Sequence, residues 1–327
     1  MSSVMIFAPS PVLTVTVEDH PEEPEVHIHA GGQGVWQARM LLRMGIDVTM
    51  CCILTGETGR VLGHLLEDEG ITVRAIGREG RGGALVHDRR GGERIKIVES
   101  GGEPISRHDL DELYGLTLGS ALASDLAILS GPHSESVLPP DVYRRLAADI
   151  TTGGVRVAVD LAGDRLAASL EGGVTLVKVS HEELLADGRI SANDTDQIVD
   201  AMHEIRKQGA DTVIVTRSND PLLMLSGDRV QVVTTPTMEV TDTAGAGDSL
   251  MAGVSASLAR GESIEDAIVL GAAAGALNVT RHGLGTGDPE SIERLRDLVE
   301  VRDYEEEVKG TGPSVTPDQL ADMAKES

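Results

Sequence analysis

The sequence predicts an α/β fold with a three-layer α/β/α, Rossmann-like core and a small additional β-sheet. Short apolar runs recur along the 327 residues, with helical stretches between them. This alternation is typical of a parallel sheet that helices cover on both faces. Aromatic residues make up only 2% of the chain, so Ala, Val, Leu, Ile and Gly must build the core, as in many such sheets.

The predicted core strands are the apolar runs themselves, in chain order. They lie at residues 4–8, 48–54, 125–129, 155–161, 175–179 and 211–215. Right-handed crossovers between parallel strands place ligand-binding loops at the carboxyl ends of the strands. We expect the core to comprise residues 1–12, 31–82 and 102–300.

Two pairs of segments differ from this pattern, because each alternates between apolar and polar residues with no helix between its members. Residues 13–17 pair with 25–29, and residues 84–87 pair with 94–98. Strand pairs joined by polar turns predict a small mixed or antiparallel sheet, which we assign to residues 13–30 and 83–101. An apolar outer face on this sheet would need covering, which favours a homodimer formed through it. Residues 301–327 are polar and acidic and are expected to form a peripheral tail.

The formal net charge of −25 argues against nucleic acid or an anionic membrane as a partner. No run approaches the roughly 18 apolar residues that span a bilayer, and no signal-peptide pattern begins the chain. The only cysteines, Cys51 and Cys52, are neighbours in an apolar run and favour a reducing compartment. A cytoplasmic location is therefore expected.

The clearest chemistry lies at residues 242–248, Asp-Thr-Ala-Gly-Ala-Gly-Asp. Small apolar residues follow at helical spacing, so the glycines lie at a helix N-terminus, where free N–H groups and the helix dipole favour an anion such as a phosphoryl group. Gly245 and Gly247 permit close approach of the backbone, and Asp248 could accept the proton of an attacking hydroxyl. The alternative is an ordinary turn in which Asp248 caps the helix.

This segment resembles, at all seven positions, the C-terminal signature of the ribokinase-like, or PfkB, carbohydrate kinases. The resemblance runs in order from residues 9–13 to 282–287 and is closest to the 1-phosphofructokinase and tagatose-6-phosphate kinase branch. It implies a ribokinase-like fold in which the small sheet is a lid over the sugar and often a dimer interface. It also implies ATP as donor, Mg²⁺, Asp248 as general base, and Gly245, Ala246 and Gly247 as the anion hole.

The acceptor side departs from the pattern of that branch. The motif Gly-Gly-Lys-Gly-x-Asn-x-Ala corresponds to residues 31–38, where Gly32 is kept but Gln33 and Trp36 replace the Lys and the Asn. Thr14 stands where the family has a sugar-binding Asp. Trp36 either packs under the lid or offers a stacking surface to a ring.

Arg94 and Lys96 lie two apart on one expected lid strand, so their side chains should face the same way. Together they could hold the existing phosphate of a substrate, as the resemblance implies for a basic pair at this strand. The alternative is a charged edge strand that faces solvent.

Ser180 and Glu183 match the Asn-x-x-Glu segment of the family, with Ser in place of Asn. Glu183 could organise Mg²⁺ through water, because this ion usually keeps several waters and takes few protein ligands. The alternative is an ordinary glutamate in the first turn of a helix.

The remaining nucleotide contacts are expected further along the chain. Thr216, Arg217 and Ser218 lie where the family usually has a glycine-containing loop beside the ATP phosphates. Gly275 and Asn278 match positions near the adenine in relatives, although helix packing and a helix-end polar group are the alternatives.

Together these residues predict an ATP-dependent kinase for a hydroxyl on a sugar or sugar phosphate. Fructose 1-phosphate-like and tagatose 6-phosphate-like sugars are the first candidates by resemblance. The altered acceptor side leaves two alternatives open: a kinase-derived metabolite- or nucleotide-binding regulatory protein without turnover, and a kinase for a non-sugar alcohol. The chain lacks Gly-x-x-x-x-Gly-Lys-(Ser/Thr), which excludes a Walker-type mechanism.

Overall fold

The computed structural model describes residues 2–92, 94–239, 241, 243–280 and 285–304. Asp242, part of the 282–287 segment and residues 305–327 of the expected tail lie outside the described residues. The strands are β1 (Ser3–Phe7), β2 (Val12–Glu18), β3 (Glu25–Gly31), β4 (Asp47–Thr55), β5 (Thr72–Arg78), β6 (Ala84–Asp88), β7 (Ile95–Ser100), β8 (Leu126–Ser130), β9 (Arg156–Asp160), β10 (Val174–Ser180), β11 (Ala210–Arg217), β12 (Asp220–Ser226), β13 (Arg229–Thr234) and β14 (Glu300–Asp303). The helices are α1 (Gln33–Arg43), α2 (Gly56–Asp68), α3 (Arg107–Ala121), α4 (Asp141–Thr152), α5 (Gly163–Gly172), α6 (His181–Ala186), α7 (Thr195–Gly209), α8 (Ala246–Ala259), α9 (Ile264–Asn278) and α10 (Pro289–Arg296).

Ten strands form the main sheet in the order β14-β13-β12-β11-β10-β9-β8-β1-β4-β5. Every neighbouring pair from β11 to β5 is parallel, whereas β12, β13 and β14 add an antiparallel edge. Two buried apolar clusters cover the two faces of the sheet. Helices α1, α2, α8, α9 and α10 contribute to one cluster, and α3 to α7 contribute to the other. The predicted three-layer α/β/α fold is confirmed.

The register of the parallel strands brings three polar residues together at one edge of the sheet. Ser130 ends β8 opposite Asp160 at the end of β9, and Asp160 in turn lies opposite Lys178 on β10. These side chains lie at the carboxyl ends of the strands, where open α/β sheets bind their ligands.

The second sheet is four-stranded and mixed, with the order β3-β2-β6-β7. Strands β2 and β6 are parallel, whereas β2 with β3 and β6 with β7 are antiparallel. A register shift between Val86 and His87 interrupts the last pair. This shift is a bulge that turns the following side chains relative to simple alternation.

Helix α8 carries Asp248 in its first turn and packs closely on α9. All of its residues from Asp248 to Ala259 are buried. The two backbones nearly touch, because a Cβ placed on Gly253 would lie only 2.7 Å from the Cα of Gly271. A helix that is apolar nearly all round is held by packing on every side. The first turn of α8, which carries Asp248, is therefore held in place.

Strand β14 pairs antiparallel with β13, and an ion pair between Arg229 and Asp303 joins them at 2.5 Å. Residues 301–303 therefore belong to the main sheet and not to the tail expected from residue 301. Within the part of the chain that the structure describes, no helix is both long enough and apolar enough to cross a membrane.

Candidate active site

A buried network of polar side chains lies at the carboxyl ends of β8, β9 and β10. The ammonium group of Lys178 donates to Asp160 Oδ1 at 2.9 Å. The amide nitrogen of Gln37 lies 3.3 Å from Asp160 Oδ2 and 3.3 Å from Asp248 Oδ1. Ser130 Oγ donates to the carbonyl oxygen of Gln37 at 2.6 Å. Each of these five residues is at most 9% exposed, so the network links α1 and α8 to the main sheet away from water.

The Lys178–Asp160 pair explains how charged groups remain buried there. An isolated buried charge is very costly, whereas a hydrogen-bonded pair offsets much of that cost. Burial alone would lower the pKa of Lys178, but Asp160, Glu183 and Asp248 together raise it above its usual value. Lys178 is therefore a permanent cation at physiological pH.

The protonation state of Asp248 changes within the neutral pH range. Burial, followed by the negative charge of Asp160, raises the pKa of Asp248 to about 8, against the opposing effects of Lys178 and the Gln37 amide. A carboxyl group whose pKa lies near neutrality can both accept and release a proton. Its hydrogen bond to Gln37 uses Oδ1, and Oδ2 has no protein partner among the described residues.

The turn before α8 has the features of an anion site. Gly245 adopts a left-handed conformation with φ of 76°, and no side chain caps the helix start. A Cβ on Gly247 would lie 2.7 Å from Lys178 Nζ, so the ammonium group lies directly against the turn. The Ala246 N–H makes a long hydrogen bond to the Thr243 carbonyl, 3.4 Å, but the helix dipole and the Lys178 cation still favour a negatively charged guest.

A cavity of about 730 Å³ opens beside the network. Four of the sequence-predicted residues line it, namely Gly32, Gln33, Trp36 and Glu183, and so does Asp160. A concave space of this size suits a small-molecule ligand.

The acceptor-side residues differ in their positions. Gln33 lines the cavity and accepts a hydrogen bond from the Gly131 N–H at 2.8 Å. Trp36 also lines the cavity, but its indole Nε1 is buried and has no hydrogen-bond partner within the described ranges. Thr14 is instead buried beneath Gly31, where a Cβ would collide with its hydroxyl, and it does not reach the cavity.

Arg94 and Lys96 do not share a strand as expected, because Arg94 lies just before β7. Both nevertheless approach His87: Arg94 Nη2 lies 3.5 Å from His87 Nδ1, and Lys96 is opposite His87 in the register. Lys96 forms an ion pair with Glu99, whose other oxygen lies 3.1 Å from Nε2 of His133. His133 lines the cavity, so the contacts from Lys96 through Glu99 to His133 reach the cavity wall.

Ser180 and Glu183 form a capping box at the start of α6. Ser180 Oγ accepts the Glu183 N–H at 3.2 Å, and Glu183 Oε2 accepts the Ser180 N–H at 2.7 Å. These contacts support the helix-start interpretation and also hold the carboxylate at the cavity wall. Over the described ranges no three His, Cys, Asp or Glu side chains could hold a metal ion together. Glu183 is one of several acidic residues that line the cavity, and an ion that keeps most of its waters, as Mg²⁺ does, needs few direct protein ligands.

The loop expected beside the ATP phosphates contains a residue in the left-handed conformation that is not glycine. Ser218 has φ of 54° and is the only non-glycine residue with positive φ in the described chain. Its neighbour Thr216 lies opposite Ser180 in the register of β10 and β11, and Arg217 Nε donates to Asn193 Oδ1 at 3.1 Å. Strained residues concentrate at functional sites, where the surrounding structure holds them.

Gly275 and Asn278 support the start of α8. A Cβ on Gly275 would lie 3.1 Å from the carbonyl oxygen of Ala246. The Asn278 amide donates to the Ala244 carbonyl at 2.8 Å, and its oxygen accepts from Ser249 Oγ at 3.1 Å. These contacts support the packing alternatives for both residues.

The residues that sequence reasoning missed are Gln37, Asp160 and Lys178. Each left a readable signal, because each is a polar residue in an otherwise apolar pattern. Gln37 interrupts the buried face of α1, while Asp160 ends one apolar run and Lys178 lies inside another. Buried polar residues of this kind require partners, and here they are partners of one another.

We predict that Ser218→Gly stabilises the protein by about 0.5–1 kcal/mol, because glycine adopts positive φ without the Cβ penalty. Denaturant unfolding measures the change. The matched control is Ser226→Gly at the far end of β12, which lacks positive φ and should lose stability. A loss of stability in Ser218→Gly as large as in the control would contradict the strain assigned to Ser218.

Comparisons with known proteins identify the family of this chain. The family model described as pfkB family carbohydrate kinase matches residues 2–291. The 1-phosphofructokinase of Bacillus subtilis (strain 168) is 26% identical over 277 residues, which are 84% of this chain and 88% of that protein. The ATP-dependent 6-phosphofructokinase isozyme 2 of Escherichia coli (strain K12) is 28% identical over 264 residues, which are 77% of this chain and 82% of that protein.

Solved structures share the fold. The crystal structure of phosphofructokinase-2 from Escherichia coli in complex with potassium has a TM-score of 0.79 and 24% identity, covering 91% of this chain and 99% of that one. A possible 1-phosphofructokinase from Thermotoga maritima has a TM-score of 0.81 and 16% identity, covering 93% and 100%. Since the family model spans most of its length, the chain belongs to the pfkB family of carbohydrate kinases.

Proposed function

We propose that this kinase transfers the γ-phosphoryl group of ATP, with Mg²⁺, to a hydroxyl of a sugar phosphate. The observation that carries the proposal is the position of Asp248 in the first turn of the helix whose N-terminus and adjacent Lys178 form an anion site. The names of the phosphofructokinase relatives favour a sugar phosphate over a free sugar.

In the reaction the acceptor oxygen forms a bond to the γ-phosphorus while the bond between this phosphorus and the bridging oxygen of ADP breaks. Asp248 takes the hydroxyl proton, with Oδ2 as the available oxygen. The N–H groups of Gly245 and Gly247, together with the Lys178 cation, would stabilise the negative charge on the transferred group, and the Ala246 N–H would join them by giving up its 3.4 Å hydrogen bond to the Thr243 carbonyl. Magnesium, when bound, would neutralise phosphate charge, and Glu183 would hold it through water.

The acceptor would occupy the cavity that Gly32, Gln33, Trp36 and Asp160 line. The basic side chains of Arg94 and Lys96 would attract its existing phosphate, which offsets the repulsion expected from a chain of net charge −25. Trp36, which lines the cavity, would contribute apolar contact area to the acceptor.

We also propose that the outer face of the small sheet binds a second copy of the chain. Apolar side chains on β3 and β7 are half exposed or more, namely Val26, Ile28, Ile95, Ile97 and Val98. The register places Ile28 beside Val15 on β2, Val15 beside Val86 on β6, and Val86 beside Val98, so apolar residues run across the sheet. An isologous contact between two sheets would cover this face. Sedimentation of the wild type should therefore give a dimer, and Ile28→Lys should give a monomer. Val61→Lys, at an exposed position on α2, is the control that should leave the dimer intact; a monomeric wild type contradicts the proposal.

Coupled ADP release with Mg-ATP tests the function across a panel of acceptors: fructose 1-phosphate, fructose 6-phosphate, tagatose 6-phosphate, free sugars, nucleosides and glycerol. We expect turnover that depends on a sugar phosphate, with kcat reduced about 10²–10⁴-fold in Asp248→Asn because the base is lost. Asp228→Asn, at an exposed turn, is the matched control that should retain activity.

Thermal unfolding of the variants checks that each is folded. Full activity in Asp248→Asn would contradict its role as base. ATP binding with no turnover on any acceptor would instead favour the kinase-derived regulatory protein, and turnover with glycerol alone would favour a kinase for a non-sugar alcohol.

A further inference from the structure

Gln37 is a fully buried amide on the apolar face of α1. The other buried residues of this helix are Gly34, Val35, Ala38, Met40 and Leu41. Burying an amide among such neighbours is costly unless its polar atoms are hydrogen-bonded, so packing alone would favour an apolar residue. The branch motif of the sequence leaves this position open, since Gln37 stands at its second variable position. The hydrogen bonds of Gln37 must therefore explain why a polar residue occupies this buried position.

Three neighbours fix the orientation of this amide. Ser130 Oγ donates to the carbonyl oxygen, and the NH₂ group faces Asp160 and Asp248. The reverse orientation would place the amide oxygen against two carboxyl groups and lose both N–H donors. One N–H of the amide thus serves each carboxyl group, at 3.3 Å in both cases.

Asp160 provides a fixed point for this contact, because Lys178 holds its other oxygen at 2.9 Å. The Gln37 amide also donates to Oδ1 of Asp248, which orients this carboxyl group relative to Asp160 and leaves Oδ2 available to a hydroxyl. We propose that Gln37 is a positioning residue for the transfer: its amide spans the two carboxyl groups and orients the base. This inference rests on the proposed function, in which Asp248 is that base.

Charged groups from several elements act on Asp248. Asp160 on β9 and Glu183 on α6 disfavour its ionised form, whereas Lys178 on β10 favours it. Gln37, from α1, is the neutral donor to the ionised form. Without it, Asp160 and Asp248 would share no donor, and the proton would remain on Asp248 to higher pH.

The test replaces Gln37 with methionine, which has a similar length but no donor. Infrared spectroscopy follows the C=O band of protonated Asp248, assigned by its absence in Asp248→Asn, as the pH is varied. We expect its midpoint to move to higher pH in Gln37→Met. The matched control is Gln231→Met, which alters a buried glutamine on β13 outside the network and should leave the midpoint unchanged.

Turnover provides the second readout, with fructose 1-phosphate and fructose 6-phosphate as the probes. The acidic limb of kcat against pH should move in the same direction, with about tenfold lower kcat near neutral pH and little change in the KM for ATP. Ser130→Ala leaves Gln37 in place but releases its carbonyl, and it should give a smaller shift of the same sign. This variant carries the test if Gln37→Met does not fold.

A midpoint that is the same in wild type, Gln37→Met and Ser130→Ala overturns the role of Gln37. The infrared titration needs no acceptor, so failure of the two proposals can be distinguished. A shifted midpoint without turnover of the wild type on any acceptor in the panel refutes the proposed function but supports the contact. Normal turnover with an unshifted midpoint refutes the role of Gln37 alone.

Discussion

The ion pair between Lys178 and Asp160 is the constraint on which the rest of the site depends. It joins two adjacent parallel strands in register and is buried. Within the pair, Asp160 raises the pKa of Asp248 and Lys178 lies against Gly247, while burial also raises the pKa of Asp160 itself. One interaction therefore contributes both to the raised pKa of the base and to the positive potential of the anion site.

Local sequence patterns predicted the parts of the molecule that depend on neighbouring residues. The apolar runs predicted the parallel strands, and the glycine turn predicted a helix start at residues 245–248, because strand and helix periods are local properties. The antiparallel edge was harder to predict. Strand β14 has the acidic, exposed sequence of a tail, and it is ordered only by pairing with β13.

The sequence predicted the site residues that are consecutive in the chain. It did not predict the residues that come together only through the strand register and the packing of helices. Gln37, Asp160 and Asp248 are far apart in the sequence, and only the packing of α1 and α8 on the sheet brings them together. Arg94 lies one residue before β7, and alternation reveals neither this boundary nor the register shift between Val86 and His87. Ser218 shows the converse, since a left-handed serine preserves a turn whose glycine signal is lost.

The most direct test of this account is a double-mutant cycle on Lys178 and Asp160, measured by denaturant unfolding and ADP release. Lys178→Met alone leaves Asp160 as an unpaired buried carboxylate and should cost about 3–5 kcal/mol of unfolding free energy. Adding Asp160→Asn should restore most of that stability but not the turnover, because both charges of the site are then gone. A double variant that turns over at the wild-type rate would contradict the account.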